Sequence, residues 1–373
     1  MNQRMYFLDN LRAVVILLVV VLHVSLCYMK FAPAWWFVID PAQSMFFTYA
    51  VMLIDVPIMA VMFFMAGYFA LPSLQKHGLP GFWIGKFKRI IIPWVLGVLF
   101  LSPPAMYMIL LSRGKAPGYM DFWSGPFWGS MYSQSVFWFL GLLTVFYLML
   151  SICYRFLPSL QTPPRKSRNP SPLFPILYIT VAAGFFLGMN QFYPVDTWIS
   201  DYYLLVFQPL RFFVYLLYFW LGILAWKRNW FTRQGYTPKV LPWLIVAAVS
   251  AVFYLTFKGM MATRGVEFPV QLVNALGFNV FAYSVLMTGT ALFKSYVNSS
   301  NGFWRSFSAS SYGIYLFHSL AVYYGAYYLV GVEASPFIKA PLLLLVSTFS
   351  CWVLTVALTT LIILPKQITL WTT

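Results

Sequence analysis

The sequence predicts an all-α, polytopic membrane protein with about ten transmembrane helices. Its 373 residues are 61% hydrophobic and only 9% charged, whereas a soluble domain carries charge on about a quarter of its residues. Apolar runs of about 20 residues, the length that crosses a bilayer core as a helix, recur along the whole chain. Basic residues fall between these runs with a strong bias to one side.

The expected spans lie near residues 10–31, 44–71, 90–112, 134–156, 173–190, 203–225, 240–258, 273–294, 308–330 and 340–364. The first is a retained helix and not a signal peptide, because it carries Asp9, Arg12 and His23 and no small-x-small cleavage pattern follows it. The stretch "LPSLQTPPRKSRNPSP", residues 157–172, is Pro-rich and basic and is expected to loop over the cytoplasmic face. About nine residues follow the last span, so residues 1–373 are expected to form a single integral-membrane domain with no appended soluble domain.

With the N-terminus inside, 17 of the 24 Lys and Arg lie in inner segments. Six lie in outer ones (Lys30, Arg113, Lys115, Lys258, Arg264 and Lys339), and Arg211 falls within a span. The positive-inside rule therefore predicts a cytoplasmic N-terminus and a multi-pass protein of a bacterial inner membrane. Asp40, Asp121, Asp196, Asp201, Glu267 and Glu333 all fall in outer loops, leaving Asp9 and Asp55 apart. The net charge of +16 is scattered between spans, which argues for the lipid bilayer and against nucleic acid as a partner. Cys27, Cys153 and Cys351 each sit in an apolar run without metal-type spacing, so neither a metal site nor a disulfide is expected.

Ionisable residues inside spans are costly and mark candidate function. Arg12 and His23 are eleven residues apart on the first helix. At about 100° per residue they share a face to within roughly 20° and are separated by about 16 Å. One reading has Arg12 snorkelling to the headgroups and His23 bonding a neighbouring helix; the other has both lining a reaction path.

The motif "YFLDNLRAVVILLVVVLHVSL", residues 6–26, resembles that of the membrane acyltransferase 3 family, which carries Arg or Lys, ten residues, then His on its first helix. "VMFFMAGYF" (61–69), "GKFKRIIIPW" (85–94), "VFWFLGLL" (136–143) and "SYGIYLFHSL" (311–320) resemble further family segments in the same order. The resemblance covers nearly the whole chain. Two departures stand out. The family's Arg-x-x-Arg is here Lys86-Phe87-Lys88-Arg89, which keeps the charge but loses one guanidinium fork. Where many members have an Asp seven residues before the second-helix glycine, this chain has Ala60, and Asp55 lies five residues earlier. The opening "YFLDNLR" and the lack of a soluble tail look most like the subgroup that modifies periplasmic glucans, including glucan succinyl transferases.

The resemblance implies O-acyl transfer from a cytoplasmic acyl-CoA to a hydroxyl of an extracytoplasmic glycan, with no bound cofactor. On that footing Lys86, Lys88 and Arg89 would meet the donor's phosphates, Arg12 would guide the donor or pair with Asp9, and His23 would act as general base or as an acyl carrier. His318 lies about ten residues into the ninth span, at a depth comparable to His23, and is either a supporting residue or a packing contact. Asp55 and Arg211 are expected to pair with each other or with Arg12. His77 is expected to be solvated, and Trp35, Trp36, Trp123 and Trp128 fit an interfacial belt. The rival classes are a transporter and a lipid-linked glycan flippase, against which stand the lack of inverted halves and of an acidic proton relay.

Overall fold

The computed structural model describes residues 5–164, 167, 169–200, 203–264 and 267–361. Among them there is no strand, only the isolated bridges Met29 to Ser44 and Ile199 to Phe207. The protein is therefore all-α. Arg4, Arg165, Lys166, Arg168, Asp201 and Lys366, which contributed to the topology reading, lie outside the described residues.

Helices α1 (Tyr6–Tyr28) and α2 (Met45–Lys86) are followed by two short α-helices, α3 (Ile92–Leu96) and α4 (Ser102–Leu111), each preceded by a wide π turn. The π turns span Phe87–Ile91 and Gly97–Leu101, and Pro93 and Pro103 follow them. A proline ring clashes with the carbonyl four residues back and has no N–H to offer it, so a locally widened helix relieves both defects. The remaining helices are α5 (Tyr119–Ser124), α6 (Trp138–Phe156), α7 (Pro158–Gln161), α8 (Leu173–Asn190), α9 (Pro209–Lys227), α10 (Val240–Arg264), α11 (Phe268–Tyr296), α12 (Gly302–Val330) and α13 (Pro336–Leu361).

Eight segments among the described residues are long and apolar enough to cross a membrane. One of them, Met45–Leu111, has 67 residues and would reach about 100 Å, enough for two crossings. Its helical geometry breaks at Gly78, with φ 65° and ψ 174°. A side chain resists this left-handed φ, so glycine is what permits the break. Counting that segment twice gives nine, and α12, 29 residues long but rich in Ser and Tyr, gives ten. The inner loop expected around residues 72–89 is instead helical on both sides of Gly78. The sixth span begins at Pro209 and not at 203, because residues 203–208 run irregularly past the Ile199 bridge.

The helices cluster into two compact units that interleave along the chain. The first comprises Met1–Ile54, Val95–Phe137 and Tyr296–Thr373, and the second Asp55–Trp94 and Trp138–Ser295. In the first, α1 packs on α12 and α13, and α12 on α13. The first turn of α1 is tied to the segment before α12. Asn298 Oδ1 accepts from the Phe7 N–H at 3.2 Å, and Asn10 Nδ2 donates to the Val297 and Ser299 carbonyls at 2.8 and 3.0 Å. The first of these bonds satisfies one of the N–H groups that a helix start leaves without partners.

In the second unit α2 meets α9 backbone to backbone. A Cβ at Gly67 would strike the Phe219 carbonyl, and one at Gly222 would strike the Phe64 carbonyl. Small residues at such crossings let the backbones approach closely, and that close packing drives helix association in a bilayer, where the hydrophobic effect does not.

Candidate active site

The first unit brings His23 and His318 together. Their ring centroids are 4.8 Å apart, with the planes nearly perpendicular. His23 Nδ1 lies 2.7 Å from the Val19 carbonyl, one turn back on α1, and His318 Nδ1 lies 2.7 Å from the Tyr315 carbonyl on α12. A carbonyl only accepts, so in a neutral imidazole each Nδ1 carries the proton and each Nε2 is the basic nitrogen. His318 is fully buried, and its Nε2 has no hydrogen-bond partner among the described residues. His23 is half-buried.

Aromatic rings wall the pair. Trp36 lies 5.6 Å and Tyr323 6.2 Å from the His23 ring, and Phe37 stacks on Tyr323 at 4.0 Å. Tyr315, between His318 and the chain before α6, donates its hydroxyl to the Val136 carbonyl at 2.6 Å. The belt reading of Trp36 is therefore corrected. Trp36 is 4% exposed because its segment folds inward, whereas Trp35 beside it stays 53% exposed.

That inward fold has identifiable causes. Arg113 donates to the Ala34 and Trp36 carbonyls at 2.6 and 2.9 Å, and Ser112 to the Phe37 carbonyl at 2.9 Å. Lys339 at the start of α13 grips both oxygens of Asp40 at 3.2 and 2.9 Å, in a fully buried pair. Sequence reasoning had placed Asp40 and Lys339 in separate outer loops; no local pattern links residues 299 positions apart.

At the N-terminal end of α1, Arg12 pairs with Asp9 at 3.5 Å. A cavity of about 140 Å³ lies beside them, lined by Tyr6, Asp9, Asn10, Trp304, Arg305 and Ser308 among others. Arg12 and His23 share the face that helical geometry requires, with the cavity at one end and the imidazole pair at the other.

The other candidates belong to the second unit. Lys86 Nζ sits over the rings of Tyr147 and Phe82, at 4.2 and 4.9 Å, while Lys88 is exposed and Arg89 half-buried. Lys86 and Arg89, three residues apart across the start of the π turn, are near enough for their charges to act on each other. Arg211 pairs with Asp55 at 2.6 Å and reaches Asp196 at 3.5 Å. Ala60 is buried, and His77 is exposed, with Nδ1 at 3.0 Å from the Ser73 carbonyl. No group of three or more His, Cys, Asp or Glu that could hold a metal ion occurs among the described residues.

Residues 5–356 match the acyltransferase domain family. The chain belongs to the acyltransferase 3 family. The match spans every helix described above except the last few residues of α13, so the imidazole pair and the cation stretch both lie inside the acyltransferase domain. The acyltransferase is also similar to the glucans biosynthesis protein C of Escherichia coli strains SMS-3-5 and K12 and of O9:H4 strain HS. Each is 25% identical over 338 residues, covering 87% of this chain and 84% of the relative. No solved structure matches the acyltransferase.

Proposed function

We propose that this membrane acyltransferase carries out O-acyl transfer, moving an acyl group from a cytoplasmic acyl-CoA to a hydroxyl of an extracytoplasmic glycan, with His23 as general base. The N-terminus is on the cytoplasmic side of the inner membrane. The acceptor hydroxyl oxygen attacks the thioester carbonyl carbon while its proton passes to His23 Nε2. The carbon–sulfur bond then breaks, and the leaving thiolate takes that proton as free coenzyme A. Oxygen gains the acyl group and sulfur regains a proton, so the step needs no further reactant.

The observation that supports this reading best is the orientation of the His23 ring, whose Nδ1 is committed to the Val19 carbonyl. A base must present a lone pair, and this bond makes Nε2 the nitrogen that has one. His318 packs edge-on against the ring and serves as a positioning residue. Lys86, Lys88 and Arg89 supply positive charge for the phosphates of the donor. Arg12 holds the inner end of the His23 stripe. The name of the relatives makes a glucan the natural acceptor to try first.

The test is direct. Purified protein in lipid nanodiscs receives succinyl-CoA or acetyl-CoA with a neutral glucose oligosaccharide, and free thiol and acylated sugar are measured together. Wild type should release one thiol per ester formed, and His23→Ala should lose both signals while remaining folded. Full transfer by a folded His23→Ala protein would remove the base assignment. Thiol release with no sugar product under any acceptor would remove the glycan.

A further inference from the structure

In the second unit four separate elements bring polar side chains to one place that the proposed mechanism does not use. Arg211 on α9 pairs through Nη2 with Asp55 of α2 and Asp196 of the segment after α8, and neither carboxylate takes up its other N–H groups. The guanidinium lies over the Phe278 ring of α11 at 5.6 Å. Gln191, just beyond α8, donates to Gln271 Oε1 at 2.9 Å. Gln271, Asn274 and Phe278 fall within a 60° arc of α11, at about 100° per residue, so Asn274 lies on the same face, at a height along the helix between the two contacts.

Asn274 is 2% exposed, and its Oδ1 has no partner among the described residues. A buried amide oxygen without a donor costs free energy comparable to a lost hydrogen bond. The rim is open by contrast, with the Asp55 and Asp196 side chains 34% and 54% exposed. Exposed carboxylates on Arg211 and an unpartnered amide oxygen on the α11 face that Arg211 touches can together take a ligand that brings its own donors.

The chemistry narrows the ligand. Carboxylates only accept, a guanidinium only donates, and amides do both. A phosphate or carboxylate would find one cation against two anions and be repelled. A metal ion would meet the guanidinium at the centre. A hydroxyl both donates and accepts, so a ring bearing several hydroxyls fits the mixed set.

We infer that Asp55, Asp196, Arg211, Gln191, Gln271 and Asn274 form a binding subsite for an uncharged, hydroxyl-rich sugar ring of the acceptor glycan. The inference rests on the proposed function for its choice of acceptor. A glycan is many rings long, so the ring held here need not be the one that carries the reacting hydroxyl. Asn274 Oδ1 accepts from a sugar hydroxyl, Arg211 donates to one, and the two carboxylates accept at the rim.

The experiment uses the full-length protein in nanodiscs and a linear β-linked glucose heptasaccharide, with binding read by calorimetry and acyl transfer read separately by mass spectrometry. Wild type should bind the heptasaccharide, and a sulfated heptasaccharide should not compete. Asn274→Ala should weaken binding about fivefold, the scale of one hydrogen bond. Gln191→Ala, at an exposed position where folding is not at stake, should weaken it in the same direction. Unchanged binding in both variants overturns the subsite and leaves acyl transfer standing. Equal binding of the sulfated sugar overturns it as well. Binding that depends on Asn274 in a protein that transfers no acyl group supports the subsite while the proposed reaction fails.

Discussion

Replacing Lys339 with methionine is expected to be among the most damaging single changes in the first unit. The Lys339 ammonium contacts both oxygens of Asp40, and the two side chains are 3% and 1% exposed. Methionine keeps most of the apolar stem, so packing is largely conserved and the effect is electrostatic. Among the described residues, Asp40 would then keep only the Ala42 N–H, at 2.8 Å, as a donor to its side chain. Removing one member of a buried pair costs roughly 3–5 kcal/mol, because the other charge is left in low dielectric. Removing both is a different perturbation. Asp40→Asn with Lys339→Met leaves no uncompensated charge and should recover most of the loss. Equilibrium unfolding in mixed detergent micelles gives the free energies of wild type, both single variants and the double variant. A Lys339→Met protein within about 0.5 kcal/mol of wild type, the range of ordinary surface substitutions, would refute the reasoning. So would a double variant no more stable than the single one.

Four further outcomes are expected. Neutralising Lys86 and Arg89 together should raise the apparent donor requirement and reduce its dependence on salt; a change in yield alone would make them topology anchors. Gly222→Ala should prevent stable assembly of the second unit, since its Cβ would strike the Phe64 carbonyl and the backbone there must move; an unaltered melting profile would contradict the close α2–α9 approach. One alanine inserted between Arg12 and His23 turns the imidazole by about 100° away from His318 and should abolish transfer, whereas four added residues return it to within roughly 40° and should restore some; retained activity after the single insertion would mean that register does not matter. Impermeant thiol reagents on intact cells should label a cysteine at position 196 and spare one at 165, and the reverse pattern would invert the proposed orientation.

The helical architecture was legible because hydropathy is a local property: each crossing announces itself within about 20 residues. The same locality explains the failures. "LPSLQKHGLPG", residues 71–81, has two prolines, two glycines and a basic pair, the composition of a loop, yet the chain stays helical around Gly78. Proline at these positions is tolerated where neighbouring helices and local widening satisfy the freed carbonyls. His23 and His318 stood out as ionisable residues at similar depth in apolar helices, which is why the sequence offered both. Their contact depends on α1 packing against α12, which no spacing within either helix reveals. Asp55 and Arg211 were found by cost alone, since each charge in a span demands a partner.

Trp36 was misplaced for an instructive reason. An interfacial belt and an active-site wall draw on the same residue type, because indole combines a large apolar face with one polar edge. What separates them is whether the backbone bearing the ring is held inward, and here Arg113, Ser112 and the Asp40–Lys339 pair hold it. On the proposed reaction that restraint has a chemical consequence. A thioester beside a general base is as open to water as to a sugar hydroxyl, and water is far more abundant. Rings of Trp36, Phe37 and Tyr323 packed around His23 exclude that water from one side. A segment that swung freely would admit it, and the enzyme would hydrolyse its donor. Loosening the clamp should therefore separate two rates that wild type keeps equal: thiol release should persist or rise while ester formation falls. A Lys339→Met protein in which both rates fall in strict proportion would show that the clamp supports the fold without governing the choice between water and sugar.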